Sequence, residues 1–95
     1  MSVYMIIDSK VKDEEKYRQY IDQVFPIVTK YGGRYHARGE KIRSFGTWKP
    51  ERIIIIEFPS EDHVLQWLGS AEYAAIAPLR EAGADTQAIL IDGFK

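Results

Sequence analysis

The chain has no cysteine. That excludes disulfides, thiolate nucleophiles and cysteine-held zinc or iron–sulfur centres. Histidine is scarce as well: His36 and His63 are the only two, and they fit no metal-ligand spacing, so no metal site is expected. Neither sign of charge dominates. Thirteen Lys and Arg stand against fourteen Asp and Glu, a net charge of −1, which argues against a nucleic-acid partner, since such proteins show a basic patch. No apolar stretch approaches the roughly 20 residues that span a bilayer. The N-terminus, Met1-Ser2-Val3-Tyr4-Met5-Ile6-Ile7-Asp8, lacks a basic n-region and a long apolar h-region, so no signal peptide is expected. A cytoplasmic location is the expectation, with which the lack of cysteine is compatible. GxGxxG, Walker-type and GxSxG motifs are all missing. A heme would need an axial ligand, and nothing singles out either histidine for it. No cofactor is therefore expected.

What is present is ordinary for a soluble globular protein: 45% apolar and 28% charged residues. Ninety-five residues are expected to form a single domain, 1–95. So short a chain buries only about 60–70% of its unfolded surface, and further burial in an oligomer would help it.

Val3 to Asp8 reads as a first strand, followed by a polar break over Lys10 to Lys12. Asp13 caps a helix with Glu14 and Glu15 at its positive end. Tyr17, Tyr20, Ile21, Val24, Ile27, Val28 and Tyr31 recur at steps of three and four and share one face. Pro26 interrupts this stripe without ending it, and Gly32-Gly33 stop the helix. Arg34 to Gly39 is a second strand, with pairing continuing from Lys41 to Phe45 and a bulge expected at Gly39. Trp48-Lys49-Pro50-Glu51 reads as a turn, and Arg52 to Phe58 as a third strand. Ser60 caps the next helix, whose apolar side is Val64, Leu65, Trp67 and Leu68. Gly69 ends or bends it. Ser70 caps a short second piece with Tyr73, Ile76, Ala77 and Leu79 facing inward, and Gln87 to Asp92 is the final strand.

The order is βαββαβ, an α+β, ferredoxin-like arrangement: a four-stranded antiparallel sheet with helices on one face. Strand side chains alternate between faces. One set, Val3, Met5, Ile7, Tyr35, Ala37, Ile54, Ile56, Phe58, Ile89 and Ile91, is expected under the helices. The other holds Tyr4, Ile6, Asp8, Arg34, His36, Arg38, Ile53, Ile55, Glu57, Ala88, Leu90 and Asp92. The run Ile53-Ile54-Ile55-Ile56 makes the third strand apolar on both faces, and such a strand needs cover on both. Left bare, Ile6, Ile53, Ile55 and Leu90 form an apolar patch of the kind that marks an interface. A second copy of the chain is the simplest cover. The expectation is a homodimer through the face bearing Ile53 and Ile55, two sheets closing a dimeric α+β barrel with a partly polar lumen.

Tyr31-Gly32-Gly33-Arg34-Tyr35, then Ala37-Arg38-Gly39, Glu57-Phe58-Pro59-Ser60, Trp67, Ser70-Ala71-Glu72-Tyr73, Leu79-Arg80 and Ile91-Asp92-Gly93, in that order, resemble the domain of unknown function 1330 family over essentially the whole chain. Ala71 departs from the pattern, where the family often carries proline. The resemblance implies the fold of the dimeric α+β barrel superfamily, which includes cofactor-free monooxygenases, muconolactone isomerases and heme-degrading enzymes. The family has no settled activity, so the resemblance assigns no catalytic role to any residue.

His36, Arg38 and Glu57 are the catalytic candidates, all placed by the alternation on the lumen face. An arginine can clamp a carboxylate or enolate, and a histidine or partly desolvated glutamate can move a proton near neutral pH. The plainer alternatives are a structural Arg38–Glu57 ion pair and a His36 that is only a polar strand residue. Arg34, Trp48, Trp67, Tyr73 and Arg80 are ligand-binding candidates. Against that role, Trp67 and Tyr73 serve equally as core, and Arg80 as a cation at a helix C-terminus. Trp48, an indole in a turn, points to contact with a partner subunit or a ligand. Two functions follow: a homodimeric barrel binding a small anionic or aromatic molecule for cofactor-free proton or oxygen chemistry, or a non-catalytic dimeric binding or sensing module.

Overall fold

The computed structural model describes residues 2–94. The elements run β1 (Val3–Val11), α1 (Glu14–Lys30), β2 (Arg34–Gly39), β3 (Ile53–Phe58), α2 (Glu61–Leu68), α3 (Ala71–Gly83) and β4 (Ala84–Asp92). The strands form one antiparallel sheet in the order β2-β3-β1-β4. This is the expected βαββαβ, ferredoxin-like arrangement, with the second helical stretch divided at Gly69 into α2 and α3.

Helix starts follow from local chemistry. Asp13, Ser60 and Ser70 each stand in extended backbone and accept from the N–H three residues on, that of Lys16, His63 and Tyr73. α1 continues past Pro26 and ends where Gly32 takes a φ of +91°, a conformation that costs glycine little. Gly33 is required for space: a Cβ there would lie 2.4 Å from Val28 Cγ1 and 3.0 Å from Phe58.

The helices cover one face of the sheet. Val3, Met5, Ile54, Ile56 and Phe58 meet Tyr17, Tyr20, Val24 and Val28 of α1, Val64 and Trp67 of α2, and Tyr73 and Ile76 of α3 in one buried cluster. Phe58 and Trp67 stack at 5.5 Å, and Trp67 meets Tyr73 edge-on at 5.0 Å. Among the described residues no helix is long and apolar enough to cross a membrane.

Four expectations are corrected. First, β1 and β4 are longer than their composition suggests. Lys10 and Val11 pair with Asp85 and Ala84, so the polar break of Lys10–Lys12 lies partly within a strand. Second, β2 stops at Gly39, and residues 40–52 form neither helix nor strand; its irregularity falls between Tyr35 and Ala37 rather than at Gly39. Third, α3 has 13 residues and accommodates Pro78, so it is a full helix rather than a short piece. Leu65 of α2 also points outward, at 56% exposure.

The fourth correction concerns phase. Residues directly opposite in antiparallel strands share a face. Met5 is opposite Leu90 and Ile7 opposite Ala88, so Ala88 and Leu90 lie on the helix side. Ile89 and Ile91, expected under the helices, instead face outward beside Ile6 and Tyr4, at 60% and 53% exposure. On β2 the bulge shifts the alternation. Tyr35 is opposite Ile56 but Ala37 is opposite Ile55, so Ala37 turns outward and Arg38, opposite Ile54, turns to the helix side. The outer face thus carries Ile6, Ile53, Ile55, Ile89 and Ile91.

Candidate functional site

Between the sheet and the helices lies a cavity of about 180 Å³. Cross-strand rows build its floor: Tyr35, Ile56 and Met5 in one, Arg38, Ile54, Ile7 and Ala88 in the next, Ser9 and Thr86 in the third. Tyr17, Tyr20, Ile21 and Val24 from α1, Trp67 and Leu68 from α2, and Tyr73 and Arg80 from α3 form the roof. The bulge in β2 is what places Arg38 here: one extra residue exchanges the faces of everything after it.

The polar groups of this chamber form a chain. Arg80 Nη1 donates to Tyr73 Oη at 2.9 Å, and Tyr73 Oη lies 3.1 Å from Tyr20 Oη. Two phenolic protons share that single oxygen–oxygen contact, so one has no acceptor within the cluster. Trp67 Nε1 and Thr86 Oγ1 are buried with no hydrogen-bond partner among the described residues. Arg38 lies over the Tyr35 ring at 5.8 Å. Neither Arg38 nor Arg80 has a carboxylate within ion-pair distance among the described residues. Among the described residues no Asp, Glu or His lines the cavity.

The chamber is therefore rich in donors and poor in acceptors. A buried donor without a partner costs about 1–3 kcal/mol. A guest offering oxygen acceptors would satisfy unpartnered donors, and the Arg80 guanidinium, beside Tyr73, would hold an anionic oxygen. Burial pushes the Tyr20 hydroxyl well above the usual phenol range and the Tyr35 hydroxyl up to about 12. Both stay protonated at neutral pH and serve as donors, not bases.

The sequence candidates separate into two groups on opposite sides of the sheet. Arg38, Trp67, Tyr73 and Arg80 line the cavity. Arg38 was expected on the outer face with His36 and Glu57; the bulge removes it from them. His36, Glu57 and Arg34 lie on the outer face. There His36 Nε2 donates to Glu57 Oε1 at 2.7 Å, and Arg34 sits opposite Glu57. Within the chain the Glu57 carboxylate thus accepts from His36 and has no contact with Arg38. Hydrogen bonds from Ser2 and then His36 hold the Glu57 carboxyl below the usual carboxylate range. Tyr4 lies 5.8 Å from the His36 ring. Trp48 belongs to neither group; it stands 64% exposed in the loop between β2 and β3.

Tyr20, Tyr35, Ser9 and Thr86 also line the cavity and are not among the sequence candidates. Tyr20 was read as packing, since its helical spacing cannot distinguish a core ring from a hydroxyl aimed at a chamber. Tyr35 was placed under the helices only as an apolar residue. Ser9 and Thr86 lie in the strand extensions that composition concealed. Continuing the alternation Val3, Met5, Ile7 by one more step reaches Ser9, and that signal was there to be read. Among the described residues no three His, Cys, Asp or Glu side chains cluster as metal ligands would.

Comparison with solved structures shows the same fold. RPA0582, a protein of unknown function from Rhodopseudomonas palustris, superposes with a TM-score of 0.84 at 18% identity, covering 99% of this chain and 83% of that one. SnoaB, a cofactor-independent oxygenase from Streptomyces nogalater, gives 0.74 at 9% identity, with 99% and 94% covered. A Dabb-family protein with a ferredoxin-like fold from Mesorhizobium loti gives 0.69 at 8% identity, with 99% and 98% covered. At such identities the likeness concerns the fold alone. No curated protein matches the chain. A family model does, across residues 2–94, and by it the chain belongs to DUF1330, a domain of unknown function.

Proposed function

We propose that this protein is a homodimer that binds a small, flat organic anion in the cavity between helices and sheet, and carries out proton or oxygen chemistry on it without a cofactor. One observation carries the reading: an aromatic and aliphatic chamber lined by Arg38 and Arg80, neither paired with a carboxylate among the described residues, beside the Arg80–Tyr73–Tyr20 chain. The walls suit a planar ring system. The donors suit a carboxylate, phenolate or enolate oxygen, and the guanidinium groups stabilise negative charge that develops there. SnoaB, of the same fold, is a cofactor-independent oxygenase, which supports the oxygen branch by analogy only.

A second reading, a non-catalytic dimeric binding or sensing module, is favoured by a different observation. Among the described residues the cavity lining holds no His, Asp or Glu to act as a base, and the His36–Glu57 pair lies across the sheet from it.

Calorimetric titration with 2-naphthoate tests the binding. The wild-type protein should bind it, and Arg80→Gln should weaken binding roughly tenfold or more, the worth of a charge-assisted hydrogen bond. Affinity for neutral 2-naphthalenemethanol should hardly change in the variant. Equal losses for both compounds, or no binding of 2-naphthoate by the wild type, would overturn the reading. Oxygen uptake with 1,4-dihydroxy-2-naphthoate then separates the branches: consumption above the protein-free rate supports the enzyme, and binding without consumption supports the module.

A further inference from the structure

The two arginines of the chamber belong to opposite edges of the sheet. Arg38 lies on β2, one edge strand, while Arg80 lies in the last turn of α3, which leads directly into β4, the other edge strand. Arg80 also shares a surface depression with Ala84 and Thr86 of β4. Under the cavity a single cross-strand row, Arg38, Ile54, Ile7 and Ala88, runs from the one edge to the other. Three strand spacings put its ends roughly 14 Å apart along the sheet. Between them the row is aliphatic. Arg38 is itself held in place: its guanidinium lies over the Tyr35 ring at 5.8 Å, and that ring stacks at 5.2 Å on Phe25 of α1.

We infer that the ligand is a diacid lying across the strands, with one acid group on Arg80 beside Tyr73, a flat apolar body over the aliphatic row, and the second acid group on Arg38 at the β2 rim. This inference rests on the binding reading proposed above and adds to it the substrate class, two separated acid groups rather than one. A monoanion leaves one of the two guanidinium groups without a counter-charge, and no carboxylate of the described chain supplies it. The two ends differ in depth. Arg80 is half-buried, so its bond to an acid gains from the reduced dielectric. Arg38 is exposed, so its attraction is screened by water and adds less. The inner end supplies affinity, and the outer end selects among acids that the inner end accepts.

The test is calorimetric titration of the full chain with naphthalene-2,6-dicarboxylate, its 6-methyl monoester, naphthalene-2,3-dicarboxylate and 2-naphthoate. The 2,6-diacid should bind roughly three- to tenfold more tightly than the monoester, of which twofold reflects only its two equivalent ends. It should also bind more tightly than the 2,3-diacid, which carries the same charge at one end. In Arg38→Gln the ratio of 2,6-diacid to monoester should fall to about twofold, and Arg38→Lys, which keeps a point charge at the rim, should restore most of it. Arg38 is exposed on an edge strand, so both variants should fold, with unchanged far-ultraviolet circular dichroism. If 2-naphthoate binds but the 2,6-diacid gains nothing over its monoester, or the 2,3-diacid binds as tightly, or Arg38→Gln leaves the ratio as it was, the diacid is wrong and the chamber reading stands. If the wild type binds none of the four, the chamber reading fails and the diacid falls with it.

Discussion

One oxygen at the roof of the cavity serves two neighbours. Tyr73 Oη accepts from Arg80 and contacts the hydroxyl of Tyr20, and all three residues are at least partly buried. Removing that oxygen strands both neighbours; removing the Tyr20 hydroxyl breaks a single contact and leaves the Arg80 bond in place. Tyr73→Phe should therefore cost about 2 kcal/mol of stability and Tyr20→Phe about 1 or less, since a stranded buried group loses more than a bond is worth. Urea denaturation of the two variants measures the order; equal costs would mean the hydroxyls do not form a directed chain. The sequence offers Tyr73 as a ligand-binding candidate, but the shared oxygen is not legible there and Tyr20 reads only as packing. Tyr20 and Tyr73 lie on helical apolar stripes, where a ring that fills the core and a ring that also presents a hydroxyl have the same spacing. Trp67 carries the same ambiguity: it is 3% exposed, as core demands, yet its indole nitrogen has no partner among the described residues.

At the scale of the elements, the helix ends were the most legible feature because their chemistry is local. Asp13, Ser60, Ser70 and Gly32 each act through the nearest few residues, and each caps or stops the helix it was expected to. Strand phase is different, because a neighbouring strand decides it. Ala88-Ile89-Leu90-Ile91 is apolar at four successive positions, and only its register against β1 determines which pair faces the helices. The bulge in β2 likewise depends on pairing with β3, and the available glycine at 39 was a poor guide to it. The join between helices was also invisible in sequence: Glu72 at the start of α3 accepts from Lys30 and from Tyr31 at 2.8 Å, tying it to the end of α1. Those bonds, Lys30 first, hold the Glu72 carboxyl below the usual range. A depressed folded-state pKa stabilises at neutral pH, and the stabilisation is lost as pH falls through the carboxylate range. Glu72→Gln should then be modestly less stable than wild type at neutral pH, with the gap narrower at pH 3, below the ordinary glutamate value of about 4.3. Urea midpoints at both pH values check this; a gap that persists in acid would mean the loss comes from packing or from the helix start, not the ionised clamp.

For the whole molecule, the open face of the sheet is more apolar than its composition suggested. The run at 53–56 was read as a strand needing cover on both sides, and the register adds Ile89 and Ile91 to Ile6, Ile53 and Ile55 on the uncovered side. His36, Glu57 and Arg34 sit at one edge of this surface, where a polar rim belongs. A symmetric pair of sheets would bury each of these residues twice, once from either copy. The same doubling sharpens the test. Ile89 is 60% exposed in the single chain, so Ile89→Lys leaves the fold of one copy largely undisturbed. In the proposed dimer it would remove two buried side chains, each worth about 1.5–3 kcal/mol, and place two lysines in their stead. Dissociation should rise by at least roughly a hundredfold, since about 3 kcal/mol is two decades in an equilibrium constant. Analytical ultracentrifugation should find the wild type at twice the chain mass and Ile89→Lys at the chain mass under the same conditions, with unchanged far-ultraviolet circular dichroism. A wild type that sediments as one chain at high concentration, with its isoleucine face in water, would remove the homodimer from the proposed function while leaving the chamber, which one copy builds alone, to be judged on its own ligand.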